Sequence, residues 1–415
     1  MPFEALFVPA EVREATGERA WVQAMLDFEV ALARAQGEPE LAERIAAVTP
    51  PDLTDSSTGN PVPELVAALP AGAHRGATSQ DVMDTAAVLV VKRTLPLIDA
   101  ALAGVAAACA DLARSHRGTP MAARTLLQQA LPTTFGFKAA GWLAGVDEAR
   151  ALLDAVPLEV ELGGAAGTLA SLGDQGPDVL SSLAQELELA EPVLPWHTRR
   201  VRVGQLGAAL ALAAGAVEKV ALDLKLMAQT EVGEVSESSA DGRGGSSTLP
   251  HKRNPVGAAR AIACAHGVRG AASVLIGAVA QEHERAAGAW QAEWDALSRA
   301  LALTGGAAAA LREALDGLEV HPERMRANLE LTGGLVMTEA VAAALGRDDS
   351  KAVVGEVARR ASESGRQLRE LLIEDSRVEL SEDEIDRALD PSAYLGSAGE
   401  FVDRALRAHE RRGDD

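Results

Sequence analysis

The chain has 415 residues, enough for two to four domain-sized units or one large fold. Its 39 Lys and Arg stand against 60 Asp and Glu, a formal charge of −21, which argues against nucleic-acid or anionic-membrane partners. With 47% hydrophobic, 24% charged and 3% aromatic residues the chain is no disordered polymer, and a core built from Ala, Leu and Val predicts an all-α fold.

In chain order, residues 18–36 place Trp21, Met25, Phe28, Val30 and Leu32 at helical spacing, with Gly37 as a stop. Residues 48–63, rich in Pro, Ser, Thr and Gly, read as a loop, and a second loop, Ala71–Thr78, opens a long helical pattern over 80–114. Thr78 and Asp81 make a capping box at its start, and Pro96 should kink or break it. Helices are expected over 133–155, from Asp178 to Leu189 after a Gly-rich stretch, and over 199–238, 255–288 and 290–317. The 199–238 segment is apolar on every side, as a central bundle helix would be. From Pro322 the helices are shorter and more charged, and no strand alternation is evident. The expected architecture is a long-helix bundle over 111–318, flanked by smaller helical regions at 1–110 and 319–415.

Cys109 and Cys264 lie in apolar helical stretches without metal spacing, as buried thiols of a reducing compartment would. The N-terminus shows no basic leader before an apolar run, and the runs Leu206–Val217 and Gly270–Ala280 are too short to span a bilayer. A cytoplasmic protein is expected. His74, His197, His251 and His283 lack close ligand spacing, so no metal is expected, and no dinucleotide or phosphate-loop fingerprint or nucleophile elbow is present.

The segment between the two longest predicted helices, Glu237–Pro255, carries the chemistry. Its Gly/Ser-rich first part leads to Asn254, a good N-cap, and Pro255, suited to a first helical position. A helix N-terminus attracts anions, Lys252 adds a positive charge, and Ser246, Ser247 and Thr248 supply hydroxyls. From these residues alone, a capped linker and an anion-binding loop are both open readings.

Residues 245–255, GSSTLPHKRNP, resemble the GSSxMPxKxNP signature of the fumarase/aspartase superfamily, with Leu249 where Met is usual. His74–Thr85 and Arg124–Gly136 resemble that superfamily's first and second conserved regions, in order and spacing. The resemblance covers essentially the whole chain. It implies a cofactor-free enzyme with a long-helix fold, a homotetramer whose active sites are shared between subunits, and a small anionic di- or tricarboxylate substrate. By the same resemblance Ser246 is the base that forms an enediolate, while Lys252 and Asn254 bind the carboxylate and steady the developing charge. His74, Thr78, Ser79, Thr125, Gln128, His197 and Arg200 are the implied substrate contacts, with a helix-start role competing for His197 and Arg200.

One departure is informative. Many superfamily members have a histidine after the threonine of the second region, serving proton transfer to the leaving group; here the pair is Thr125-Leu126. Leucine transfers no proton, so either the chain is silent or its leaving group needs no acid. A carboxylate, with a conjugate-acid pKa near ~4, leaves without one. Leu127–Pro132 (LQQALP), Pro195–Thr198 (PWHT) and Gln281–Arg285 followed by Glu293-Trp294 are similar to the 3-carboxy-cis,cis-muconate cycloisomerase family, which opens and closes a lactone. Arg199-Arg200 departs from that family's mixed pair. An adenylosuccinate lyase-like C–N lyase and a catalytically silent homologue are the alternatives. His283 and Arg285, with Glu282 and Glu284, read equally as a solvated helix face, and Trp142, Trp290 and Trp294 as core or interface anchors.

Overall fold

The structure is a computed structural model that describes residues 3–51, 59–238, 244–245, 248–249 and 251–414. The elements that position the site are α1 (Glu18–Ala35), α2 (Ser79–Ser115), β1 (Pro120–Thr125), β2 (Gln128–Thr134), α3 (Phe135–Asp154), α4 (Val201–Met227), β3 (Val235–Ser236), α5 (Val256–Gly277), α6 (Ala289–Asp316) and β4 (Glu319–Val320). Shorter helices follow from Pro322. The architecture is mostly helical, as the Ala/Leu-rich composition requires.

Two compact units share these elements. The first comprises residues 1–103, 148–218 and 260–311; the second comprises 104–147, 219–259 and 312–415. Within the first unit the long helices meet at glycines. A Cβ added to Gly207 on α4 would come 3.0 Å from Leu275 Cβ on α5, and Gly267 on α5 stands against Leu303 of α6. These glycines cost helix propensity and return close packing. α1 buries Trp21, Met25, Phe28 and Leu32 on the predicted face. It ends where expected: Gly37 takes φ +75°, and Glu38 N–H closes onto the Ala33 carbonyl at 2.9 Å.

Several expectations need correction. α2 runs unbroken through Pro96, a residue the pattern marked as a kink or break. α4 stops at Met227, because residues 228–233 turn and 235–236 form a strand paired with β4. α5 stops at Gly277, well short of 288. Residues 120–134 form an antiparallel hairpin pairing Thr125 with Gln128. Its strands carry too little apolar alternation to be legible, since their register is set by a two-residue turn. α2 and α4 are also long and apolar enough to cross a membrane by length and composition. The fully buried Gln80, Asp81 and Thr85 at the start of α2, and the packed Leu210, Ala213, Val217 and Val220 of α4, mark them as core helices. Cys109 and Cys264 are buried and unpaired, and burial pushes the Cys109 thiol up to about 12.

Gly207→Val should force branched methyls into the Leu275 contact. The expected cost is about 1–3 kcal/mol, as for other overpacked cores, read as a lower denaturation midpoint in urea. An unchanged midpoint would mean the two helices can part without loss.

Candidate active site

In the first unit, the start of α2 is a cluster of buried polar groups. Thr78 N–H donates to Asp81 Oδ2 at 2.8 Å, so Asp81 supplies the returning arm of the expected capping box. Its carboxylate does more than cap. Gly163 N–H reaches Oδ1 at 2.8 Å, Gly164 N–H reaches Oδ2 at 3.0 Å, and His197 Nε2 lies 2.6 Å from Oδ1. One fully buried side chain thereby ties the α2 terminus, the Gly-rich loop and the Trp196–His197 segment together. His197 is 4% exposed, and its carbonyl accepts from Gln80 Nε2 at 2.8 Å.

Beside this pair lies Glu161, with no exposed surface. Trp196 N–H donates to its Oε2 at 2.5 Å; Oε1 accepts no hydrogen bond and sits 3.5 Å from His197 Nε2. Burial, added to the negative charges of Asp81 and Asp84, pushes the Glu161 carboxyl well above the ordinary range, and the Trp196 N–H and Arg200 counter this only in part. A buried carboxyl with one orphaned oxygen is cheaper neutral than ionised. Among the described residues, Asp81, Glu161 and His197 are the group whose candidate metal-ligand atoms lie within 4.8 Å of one another, but His197 Nε2 and Asp81 Oδ1 are already joined by their hydrogen bond.

Arg200, an expected substrate contact, is 3% exposed and engaged on both sides. It grips Asp84 with Nη1 at 2.6 Å and Nη2 at 3.0 Å, and Glu293 through Nε at 3.1 Å and a close Nη2 contact. Burial works against the guanidinium, yet the two carboxylates outweigh it and hold its pKa above the usual value. Trp290 Nε1 and Gln80 Nε2 also donate to Asp84, and Gln281 Nε2 to Glu293. With its charge matched twice over, Arg200 is a core tie rather than a free anion site. The 281–285 segment is a turn, not the charged helix face considered above. His283 takes φ +50°, its carbonyl accepts from Thr198 Oγ1 at 2.9 Å, and Arg285 Nε donates to Gln80 Oε1 at 3.2 Å.

His74, Thr78 and Ser79 line the approach to α2 and are half-buried. His74 holds a left-handed backbone, φ +60°, and its ring Nδ1 lies 2.6 Å from Glu29 Oε1. Burial disfavours the imidazolium, but the hydrogen bond and charge of Glu29, with Asp81 beyond it, raise the His74 pKa above its ordinary value.

In the second unit, Thr125 and Gln128 flank the tip of the β1–β2 hairpin, both exposed. The tip is Leu126-Leu127, with φ +50° and +65° and exposures of 96% and 79%. Left-handed leucines are uncommon and strained. Arg124 anchors the hairpin through a two-pronged pair with the buried Glu234, at 2.9 and 2.7 Å, and Asn328 Nδ2 donates to the same carboxylate at 2.8 Å.

Ser246, the expected base, lies outside the described residues, as does Ser247. Lys252 is exposed. Asn254 is not the helix cap that its position suggested: α5 begins at Val256, and both Asn254 N–H and Nδ2 donate to the Gly244 carbonyl at 2.9 Å. Asn254 therefore pins the base of the signature loop. The cap is Glu237, whose two oxygens accept from Gly257 N–H and Ala258 N–H, both at 2.8 Å. The protein's own carboxylate thus occupies the helix terminus that was expected to attract an anion. Glu237, Glu161, Asp84 and Glu293 were missed as organising groups, and only Asp81, in its capping spacing, gave any sign of its role.

The lyase family matches residues 40–270, and the adenylosuccinate lyase C-terminus matches residues 333–405. A 3-carboxy-cis,cis-muconate cycloisomerase of Pseudomonas aeruginosa is 44% identical, over 99% of this chain and 97% of that protein. A nitrosuccinate lyase of Streptomyces davaonensis is 45% identical, over 96% and 93%. The crystal structure of the 3-carboxy-cis,cis-muconate lactonizing enzyme from Pseudomonas putida superposes with a TM-score of 0.91 at 41% identity, covering 99% of both chains. Helix order, hairpin and signature loop define the class: an enzyme of the fumarase/aspartase superfamily. Within it, the chain belongs to the 3-carboxy-cis,cis-muconate cycloisomerase family.

The raised carboxyl of Glu161 has a consequence for stability. The folded protein holds this proton to higher pH than the unfolded chain, so the stability it contributes is full below the ordinary glutamate range and is lost as pH rises through the folded value. Glu161→Gln has no proton to lose. Melting curves from pH 5 to 9 should show a shallower alkaline decline in the variant; an identical decline would mean that Glu161 is ionised in the fold.

Proposed function

We propose that this enzyme interconverts 3-carboxy-cis,cis-muconate and its carboxymuconolactone in the cytoplasm, as a homotetramer with sites shared between subunits. Leu126 carries this reading. It occupies the position where many superfamily members have an acidic partner for the leaving group, on an exposed, strained hairpin tip of the kind found at functional sites. A carboxylate leaving group needs no such acid.

In the ring-opening direction, Ser246 takes the proton from the carbon next to a carboxylate. The electron pair spreads into that carboxylate as an enediolate. The pair then returns to form the C=C bond while the lactone C–O bond breaks, and the ring oxygen departs as a carboxylate. Lys252 stabilises the enediolate charge, and preorganised charges and donors of this kind usually lower the barrier more than any other single effect. Asn254 serves by holding Gly244, at the base of the loop that bears Ser246. His74, Thr78, Ser79, Thr125 and Gln128 contact the substrate carboxylates, and His197 supports the Asp81 frame beneath them. The tetramer is supported by apolar side chains left open along the long helices: Leu212 and Leu226 on α4, and Val274 and Ile276 on α5.

Steady-state assays on 3-carboxymuconate, cis,cis-muconate, fumarate, adenylosuccinate, argininosuccinate and nitrosuccinate test the substrate. Turnover of 3-carboxymuconate should exceed that of fumarate and adenylosuccinate by about 10²–10⁴-fold, the usual worth of general acid catalysis. Preference for adenylosuccinate, or for nitrosuccinate, would replace this reading.

Ser246→Ala should lose about 10²–10⁴-fold in kcat with the oligomer intact, while Lys252→Met should damage KM and kcat together because its charge acts in both ground and transition states. Near-normal turnover in Ser246→Ala would remove it as the base, and sedimentation showing an active monomer would defeat the shared-site tetramer.

A further inference from the structure

We infer that Glu29 is a positioning residue for His74: a buried carboxylate on α1 that sets both the backbone and the ring of the histidine presented to substrate. The inference rests on the reading that His74 contacts a substrate carboxylate. Glu29 is 1% exposed, on a helix face whose other members are Met25, Phe28 and Leu32. A carboxylate among such neighbours is costly unless its oxygens are matched. Both are matched by one residue. His74 N–H donates to Oε2 at 3.1 Å, and the ring Nδ1 lies 2.6 Å from Oε1.

The two contacts do different work. The first holds His74 in a left-handed backbone that a non-glycine residue keeps only where its surroundings impose it. The second fixes Nδ1 as the proton-bearing nitrogen on the protein side. That leaves Nε2, for which the described residues supply no partner, as the nitrogen that meets a ligand. The charged groups around the ring favour the imidazolium: Glu29 from α1 and Asp81 from the start of α2. The neighbouring Arg75 is turned to Gln36, its Nε donating to Oε1 at 3.2 Å. A cationic Nε2–H suits a di- or tricarboxylate better than a neutral ring does.

The test is the titration of His74 itself, read by deuterium exchange at its Cε1 hydrogen with mass spectrometry on the intact enzyme. Glu29→Gln keeps the size of the side chain and removes its charge. Its His74 midpoint should fall by about one pH unit or more, the usual effect of losing an adjacent opposite charge. The alkaline limb of kcat/KM should move down in step, with KM affected more than kcat and activity recovering at low pH. Glu29→Asp keeps the charge and should restore the midpoint while leaving KM raised through its shorter reach. If Glu29→Gln fails to fold, Glu29→Asp decides alone: a wild-type midpoint with raised KM supports the inference, and wild-type values of both overturn it. A folded Glu29→Gln with an unmoved midpoint and pH profile also overturns it. The titration needs no substrate, so a shifted midpoint in an enzyme that ignores 3-carboxymuconate would sink the substrate reading and leave the Glu29–His74 coupling standing.

Discussion

The Asp81 carboxylate is the constraint on which the first unit's site depends. A helix start, a glycine-rich loop and a segment more than a hundred residues further on all converge on its two oxygens. Backbone amides of two successive glycines can approach one carboxylate because no Cβ intrudes; Gly164 also takes φ +68°, which a residue with a side chain could not adopt without strain. Removing this anion would leave buried N–H groups from three segments without an acceptor, each an expensive loss.

Charge balance around Asp81 explains the behaviour of the neighbouring groups. Asp81, Asp84, Glu161 and Glu293 are four buried carboxyls within one region, and among the described residues Arg200 is the single buried guanidinium beside them. Arg200 satisfies Asp84 and Glu293, His197 hydrogen-bonds Asp81, and Glu161, reached by one backbone N–H, is the carboxyl that burial and its acidic neighbours push above the ordinary range. The second unit repeats the device on a smaller scale, where Arg124 and Asn328 share Glu234 and so fix the hairpin that displays Leu126. In each unit a buried ionic tie that looks like binding machinery serves as framework, and the groups proposed to meet substrate are the less buried ones.

The chemistry follows from what this platform does not supply. On the proposed reading a base loop and a carboxylate-binding cation serve proton abstraction, while Leu126 stands where many superfamily members have a histidine. The combination suits a leaving group that departs as a stable anion, and the relatives at 44% and 45% identity are named as a 3-carboxy-cis,cis-muconate cycloisomerase and a nitrosuccinate lyase. Which anion leaves is a question for the pocket around the substrate rather than for the proton-transfer machinery.

The sequence alone was sufficient for the helical class, the buried face of α1, the Gly37 stop and the family, because helical periodicity and an eleven-residue signature are local properties of the chain. It marked Thr78 and Asp81 as a cap, since a capping box is also local. It did not disclose that the Asp81 carboxylate also holds Gly163, Gly164 and His197, that Arg200 is consumed by Asp84 and Glu293, or that Glu237 rather than Asn254 caps α5. Each of those facts is a pairing across 20 to 116 residues, and spacing along a chain carries no information about such pairings. The hairpin escaped for a related reason: its register comes from two left-handed leucines at the turn, a backbone choice that leucine does not favour, on a hairpin anchored by Arg124 on Glu234.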